Sequence, residues 1–194
     1  STTRAATVPL DERALIVASR AEFDGLLFDA ARRAGAHVLD ARVTDVRFDG
    51  QQWNIETTAG PRRARFLIGA DGANSLIRRR VVGQFGRDQL SIATGFFAHG
   101  VSSQEILVEL IANPPGYIWS FPRPNHISYG LISRSGPGRT AKAKELLSNF
   151  ILADLGADVM ENAEFYSAPV PCLSPRSWKK NVIAGDRWAL VGDA

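Results

Sequence analysis

The spacing of apolar residues predicts a helix over residues 21–35. Its apolar positions recur three and four residues apart and share one helical face, while Arg32 and Arg33 take the other side. These apolar positions are Phe23, Leu26, Leu27, Ala30, Ala31 and Ala34. Gly35 follows the last of them, where a glycine commonly ends a helix. The segment is therefore an amphipathic helix with a defined end.

A hairpin follows this helix. Residues 38–48 read as extended chain, and Asp49-Gly50 is a hairpin turn signal. Beyond the turn, Trp53, Ile55 and Thr57 alternate with polar residues, as strand residues do.

Three short apolar runs predict strands of a different kind. They are residues 14–18, 66–68 and 188–191, and each is continuous rather than alternating. A continuous run of this length suits a strand that is buried on both faces, as in parallel sheets covered by helices. The last two runs therefore predict inner strands of an α/β layer.

From about residue 91 the pattern changes to successive short strands separated by Pro, Gly and Asn. The runs are 94–98, 106–111, 117–121 and 127–132, with a further strand expected over 165–170. A second amphipathic helix is expected over 141–155, with Ala143, Leu146, Leu147, Phe150 and Ile151 on its apolar face. Pro169, Pro171 and Pro175 predict that the stretch after residue 170 is a return loop. The fold class is thus α/β, α+β overall: a Rossmann-like layer joined to a mainly antiparallel sheet domain.

Composition restricts the function classes. The 194 residues contain 45% hydrophobic residues and no apolar run long enough to span a membrane, and the first residues do not resemble a signal peptide. One cysteine, Cys172, excludes an internal disulfide and fits a reducing, cytoplasmic compartment; peripheral contact with a membrane stays open. The formal charge of +3 is carried by scattered residues, so nucleic acid is not an expected partner.

Two segments of the chain carry candidate chemistry, and both end a strand with Gly and Asp. The first is Gly69-Ala70-Asp71-Gly72, followed by a short helix over 75–80. The start of that helix would offer free N–H groups to a pyrophosphate, with Ser75 and Arg78 adding a hydroxyl and a cation. The alternative is structural, with Asp71 and Ser75 acting as helix caps. The second segment is Val191-Gly192-Asp193.

The first segment, residues 69–78, resembles the G-A-D-G-x-x-S-x-x-R motif of FAD-dependent oxidoreductases of the p-hydroxybenzoate hydroxylase type. Residues 187–194 are similar to the later Gly-Asp segment of that family, and residues 20–27 to its R-x-x-F-D-x-x-L helix. The resemblance implies that FAD and NAD(P)H are the cofactors. It implies cofactor-binding roles for Arg20, Thr44, Asp71, Gly72, Ser75, Arg78, Gly192 and Asp193. Residues 1–82 and 183–194 would then form part of the FAD/NAD(P)-binding domain, and residues 83–182 the substrate domain.

An aromatic run in the sheet domain suggests a substrate site. Tyr117, Trp119 and Phe121 alternate, so they point to one side of a strand. They could wall an apolar cavity or pack in the domain's own core. The run resembles the Y-x-W-x-F-P segment of the geranylgeranyl reductase family, which lines a substrate pocket, and flavin-dependent halogenases carry a similar segment.

The expected function is therefore NAD(P)H-linked reduction of prenyl C=C bonds in an isoprenoid lipid by a FAD-dependent oxidoreductase. A flavin-dependent monooxygenase or halogenase acting on an aromatic substrate is the alternative within enzymes. A non-catalytic module that binds lipid or a partner protein is the alternative outside them.

The family's G-x-G-x-x-G motif does not occur in the sequence, so we expect the chain to be the middle part of a longer member. No acid–base residue is assigned. His37, His99 and His126 are far apart and lack metal-ligand spacing.

Overall fold

A computed structural model describes residues 5–11, 14–112, 115–134, 139–155 and 162–194 of the chain. The described part contains helices α1 (Arg20–Arg33), α2 (Leu76–Val81), α3 (Arg139–Leu155) and α4 (Pro175–Lys179). Its strands are β1 (Val43–Phe48), β2 (Trp53–Thr57), β3 (Arg62–Ala64), β4 (Leu67–Gly69), β5 (Leu90–His99), β6 (Leu107–Ala112), β7 (Pro115–Pro122), β8 (His126–Arg134), β9 (Glu164–Pro171), β10 (Ala184–Gly185) and β11 (Trp188–Leu190). These elements make the chain a mixture of helices and mainly antiparallel sheet, as predicted.

The largest sheet has five strands in the order β6-β7-β8-β5-β9, and every neighbouring pair is antiparallel. Helix α3 packs on one face of it through Ala143, Leu147 and Ile151, which are fully buried. These side chains meet the inward residues of the sheet, including Phe96, Ile118 and Leu131. The predicted strands and the predicted helical face are confirmed here, because alternation and helical periodicity both point to this one core.

A second sheet has the order β10-β11-β4, with β11 and β4 parallel. Helix α2 packs so closely on it that a Cβ added to Gly69 would lie 2.8 Å from both Ile77 Cβ and Leu190 Cδ2. The prediction that β4 is buried on both faces is wrong. Leu67 and Gly69 are buried, but Ile68 is 59% exposed, since α2 covers only one face and no other described element covers the second.

The remaining sheet is the antiparallel meander β1-β2-β3. The predicted turn is present: the Asp49 carboxylate accepts hydrogen bonds of 2.9 Å from the N–H groups of Gln51 and Gln52. Trp53 joins this meander to the parallel pair, because its indole N–H donates to the Arg187 carbonyl at 2.8 Å. Val46 and Trp53 are buried together with Leu67, Ile77 and Leu190, so the two small sheets share one core.

Helix α1 forms with both of its ends capped. The Ser19 hydroxyl accepts from the Glu22 N–H, and Gly35 has a φ of 95° beyond the last turn. Two hydrogen bonds, from Gly35 N–H to Arg32 O and from Ala36 N–H to Ala31 O, complete a Schellman motif. None of its residues is buried, and Leu26 is 67% exposed. Local signals are therefore sufficient to define this helix without packing of its apolar face in the described chain.

Three other expectations need correction. Residues 14–18 are not a strand, and Ile16 is 83% exposed, because no described strand pairs with this segment. Regular β1 structure begins only at Val43, and part of the predicted return loop is helix α4, which Ser174 caps by accepting from the Ser177 N–H at 3.1 Å. None of the helices in the described residues is long and apolar enough to cross a membrane.

Candidate functional site

The two Gly-Asp segments lie side by side. Strands β4 and β11 run parallel, with Leu190 opposite Gly69, and the Val191 N–H donates to the Gly69 carbonyl at 2.9 Å. Asp71-Gly72 and Gly192-Asp193 therefore follow the carboxyl ends of adjacent parallel strands. This is the edge at which α/β sheets usually bind their ligands.

The Asp71 carboxylate caps α2. It accepts hydrogen bonds from the Ser75 hydroxyl at 2.5 Å and from the Leu76 N–H at 2.6 Å. Ser75 in turn accepts from the Arg78 N–H at 2.7 Å, and Gly72, with φ of 75°, makes the tight turn that places the cap. The expectation of free N–H groups at this helix start is wrong for these residues, because the protein's own side chains already occupy them.

Arg78 presents hydrogen-bond donors that are not used. Its side chain is 7% exposed and its guanidinium lies 3.8 Å from the centre of the Phe85 ring. One terminal nitrogen donates to Asn181 Oδ1 at 2.7 Å, but Nε and the other nitrogen have no partner among the described residues. Burial lowers the pKa of Arg78, although an arginine keeps its charge in proteins. A small cleft of about 170 Å³ adjoins it, lined also by Asn74, Ser75 and Gln84. An anionic group could be held there.

The structure does not bring every predicted cofactor residue into contact. Arg20 is exposed and pairs with Asp24 at 3.0 Å within α1. Thr44 is exposed at an irregularity of β1, where the register with β2 shifts. Asp193 is exposed beside Gly192, whose φ is 63°. In the described part of the chain, no hydrogen bond or ion pair joins Arg20 or Thr44 to the Gly-Asp segments.

The aromatic run lies on the sheet face opposite α3. Ile118 and Ser120 point toward the α3 side and are buried, whereas Tyr117 is 39% exposed. The Tyr117 and Trp119 rings are 5.7 Å apart, and the Trp119 and Phe121 rings stack at 6.0 Å. The run thus lies outside the α3 core, and its role as the wall of a substrate cavity stays a prediction. We call this surface the aromatic face.

Two glycines let aromatic rings lie flat on this face. Strand pairing places Trp119, Gly130, Gly95 and Tyr166 in one row across four strands. A Cβ on Gly130 would lie 1.9 Å from Trp119 Cζ2, and a Cβ on Gly95 would lie 2.1 Å from Tyr166 Cζ. Any larger residue at either position would have to displace a ring. The absence of a side chain at Gly130 and at Gly95 therefore makes room for the two rings.

Sequence reasoning missed Tyr166. Its ring stacks on Phe97 with centroids 4.7 Å apart, and its hydroxyl makes long contacts of 3.4 Å with Ser128 Oγ and the Tyr129 carbonyl. Burial raises the pKa of this phenol. Its alternation within β9 is visible in the sequence, but its position beside β5 depends on long-range pairing that the sequence does not reveal.

A polar cluster ends the aromatic face. His99 and His126 are directly opposite each other on β5 and β8, with rings 5.5 Å apart, so the interpretation of these histidines as distant is wrong for this pair. Arg123 lies in the turn after β7, where its backbone N–H donates to the backbone carbonyl of His126 at 2.8 Å. Burial lowers the pKa of His126, and the neighbouring His99 and Arg123 lower it further. No group of three potential metal ligands occurs among the described residues.

A second cleft, of about 640 Å³, lies elsewhere in the described part of the chain. It is an open groove between the meander and α2, lined by Phe48, Trp53 and Trp188 with charged residues at its rim. Two of the rim charges already neutralise each other, since Arg80 and Asp45 are 2.6 Å apart. It contains none of the predicted site residues, and we do not assign it a ligand.

Comparison with known proteins places the fold among flavoenzymes. No protein-family model matches the chain. An uncharacterized protein of Methanosarcina barkeri is 28% identical over 116 residues, which cover 57% of this chain and 30% of that protein. Peptidyl tryptophan dihydroxylase QhpG superposes with a TM-score of 0.64 at 20% identity, covering 90% of this chain and 40% of its own. The flavin-dependent halogenase CmlS superposes with a TM-score of 0.61 at 23% identity, covering 90% of this chain and 34% of its own.

The halogenase PltM, solved with phloroglucinol and FAD, has a TM-score of 0.58 at 16% identity over 89% of this chain and 40% of its own. The chain thus spans 34–40% of the length of these three structures. At identities of 16–23%, the likeness establishes that the chain shares its fold with part of each of these three proteins.

Proposed function

We propose that the chain is part of a FAD-dependent oxidoreductase. The observation that carries this proposal is the pairing of β4 and β11, which sets Asp71-Gly72 and Gly192-Asp193 next to each other at one sheet edge. The shared fold with flavin-dependent halogenases supports it. In this proposal residues 1–82 and 183–194 belong to the FAD/NAD(P)-binding domain, and residues 83–182 form the substrate domain.

The residues at this edge fit a dinucleotide cofactor. Arg78 has two buried, unpartnered nitrogens among the described residues, and these would donate to phosphate oxygens. The exposed Asp193 carboxylate would accept hydrogen bonds from the ribityl hydroxyls, as the family resemblance implies. Asp71, Gly72 and Ser75 would shape the edge by holding the start of α2, and Arg20 and Thr44 would contact FAD from α1 and β1. When bound, FAD supplies electron-transfer chemistry that no side chain of this protein can perform, with NAD(P)H as the source of electrons.

The aromatic face would hold the substrate. Tyr117, Trp119 and Phe121 offer a flat, apolar surface outside the core, which suits an aromatic ring or an unsaturated chain. The fold neighbours favour a monooxygenase or halogenase acting on an aromatic substrate. The Tyr-x-Trp-x-Phe-Pro run favours reduction of prenyl C=C bonds instead. In either case these side chains would orient the substrate and exclude water from it.

The decisive test is FAD binding by the full product of the gene that encodes this chain. Flavin fluorescence would be titrated for the wild type, Asp193→Ala and the control Asp186→Ala, whose carboxylate is also exposed on the same segment. We expect Asp193→Ala to weaken binding about tenfold or more, as loss of charge-assisted hydrogen bonds does, and Asp186→Ala to leave it unchanged. A folded wild type that binds no FAD would refute the proposal and favour a non-catalytic module that binds lipid or a partner.

The reaction class is tested separately on the flavin-loaded protein. Oxidation of NADPH and NADH would be followed with a prenyl lipid, and with a phenolic substrate in the presence of oxygen and halide. Saturation of the prenyl chain supports the reductase, whereas a hydroxylated or halogenated ring supports the other class. Phe121→Ala, which removes part of the aromatic face, should raise KM for the true substrate.

A further inference from the structure

The polar end of the aromatic face contains a cation that the described residues do not neutralise. Arg123 is half-buried, and its Nε has no hydrogen-bond partner among them. One terminal nitrogen reaches only the carbonyl of the preceding Pro122, at 3.3 Å. Within the described part of the chain Arg123 takes part in none of the ion pairs. A buried charge of this kind is costly unless something pairs with it.

The charged groups around Arg123 do not form an ion pair with it. Burial lowers the pKa of Arg123, while Tyr166 and Glu22 favour its charged form. Glu22 lies on α1 and is exposed, and Glu164, also exposed, faces His99 at 3.9 Å. His126, next to Arg123, can only add positive charge.

Tyr166 offers a second donor at the same place. The Trp119 side chain hydrogen-bonds to this hydroxyl, whereas the contacts of the hydroxyl with Ser128 Oγ and the Tyr129 carbonyl are each 3.4 Å long, which is beyond the usual range for an O–H donor. The hydroxyl could therefore turn to a better acceptor at little cost. The raised pKa of this phenol keeps the proton in place at neutral pH.

The rings of Trp119 and Tyr166 lie over Gly130 and Gly95, so the surface beside these donors is aromatic and apolar. We propose that this site binds a substrate with a flat, apolar body and an oxyanion, a carboxylate or a phosphate, at one end. The oxyanion accepts hydrogen bonds from Arg123 and Tyr166, and the body lies on the rings of Trp119 and Phe121. This inference rests on the proposed function in taking the aromatic face as the substrate site, but it concerns binding that needs no flavin.

The test is calorimetric titration of the full product of the gene that encodes this chain, freed of flavin, with matched pairs of acid and neutral ligands. One pair is 2-naphthoate and 2-naphthamide, and the other is farnesyl phosphate and farnesol. We expect an acid to bind about tenfold more tightly than its neutral partner, and salt to reduce the difference. The pair that shows the preference distinguishes an aromatic acid from a prenyl phosphate. Equal affinities within both pairs, or no binding at all, overturn the proposal.

Substitutions test which residues cause the preference for acid ligands. Arg123→Gln should abolish the preference for acid and leave the affinity for the neutral ligand unchanged, while Arg123→Lys should keep part of it. Tyr166→Phe should reduce the affinity for acid severalfold. Arg87→Gln removes an exposed arginine of the same domain and should have no effect. If Arg87→Gln weakens acid binding as much as Arg123→Gln does, the preference comes from overall charge and the proposal fails.

Gly130→Val tests whether the ligand lies on the aromatic face, because its side chain would displace the Trp119 ring. Affinity for both members of a pair should fall, and unchanged affinity would exclude this site. Circular dichroism shows whether each variant is folded; if Gly130→Val is not, Trp119→Ala replaces it. If the protein prefers acid ligands but does not bind FAD, only the proposed function is refuted. If it binds FAD but shows no preference for acid ligands, only this inference is refuted.

Discussion

At the scale of single residues, two arginines share an unusual situation. Arg78 and Arg123 each keep buried guanidinium nitrogens that have no partner among the described residues. Arg78 compensates in part by stacking on Phe85 and by its hydrogen bond to Asn181. An unsatisfied buried donor costs free energy that a bound oxygen would recover. The two residues therefore mark the two places where we expect anionic parts of ligands to bind.

Ser75→Ala tests the cap of α2. The Ser75 side chain is 2% exposed and connects the Asp71 carboxylate with the Arg78 N–H, so its loss leaves both groups with poorer partners. We expect the free energy of unfolding to fall by about 1 kcal/mol, the usual value for a lost N-cap. Urea denaturation measures it, with the exposed Ser102→Ala as a control that should change little. Equal effects of the two substitutions would contradict the capping role.

The lowered pKa of Asp49 predicts how the free energy of unfolding depends on pH. Its turn hydrogen bonds from Gln52, Gln51 and Asn54 lower its pKa from 3.8 to about 2. Because the folded-state pKa is the lower one, the stabilisation is present above about pH 4 and is lost as the pH falls toward 2. Chemical denaturation across this range should show a smaller loss of stability for Asp49→Asn than for the wild type. Parallel pH profiles would exclude a contribution from Asp49.

At the scale of elements, α1 and α2 form for different reasons. Helix α1 has 14 residues with caps at both ends, and it exists without a buried residue. Helix α2 has only 6 residues, too few to persist alone, and depends on Asp71, Ser75 and close packing on Gly69. Changes inside α1 should therefore follow intrinsic helix propensity, while changes beneath α2 should follow packing.

Alanine at two glycines should have opposite effects for this reason. Gly69→Ala forces a methyl group into contact with Ile77 and Leu190, and we expect a destabilisation of about 1–3 kcal/mol from overpacking. Gly25→Ala lies inside α1, where nothing is within 4 Å of the new methyl group, and should stabilise by up to about 1 kcal/mol. Thermal denaturation compares them. A destabilising Gly25→Ala would mean that α1 is not helical as described.

At the scale of the whole molecule, the five-stranded sheet has two faces with different roles. One face packs with α3 into an apolar core, and the other presents aromatic rings that end at Arg123, His126 and Tyr166. Outside that sheet, the edge that carries Asp71 and Asp193 lies on a separate parallel pair of strands. A flavoenzyme needs both a cofactor edge and a substrate surface, and this chain contributes residues to each in our proposal.

Much of the fold could be predicted because its signals are local. The helical periodicity of α1 and α3, the Asp49-Gly50 turn and the alternation of β5, β7 and β8 depend on residues close in sequence. The sequence allows both cofactor binding and capping for Asp71 and Ser75; the hydrogen bonds show that both residues cap α2, and cofactor binding stays a prediction. The failures, the exposed Ile68 and the unpaired residues 14–18, both concern what packs against a strand, which sequence patterns do not specify.

By itself, the sequence determined helices α1, α2 and α3, most strands, the mixed fold class and the two Gly-Asp segments of this protein. Only the tertiary structure decided that Trp119, Gly130, Gly95 and Tyr166 form one row and that His99 lies opposite His126. The physical reason is strand register. A shift of one residue would turn every side chain of β9 to the other face, and no local signal sets that register across strands that lie far apart in the chain.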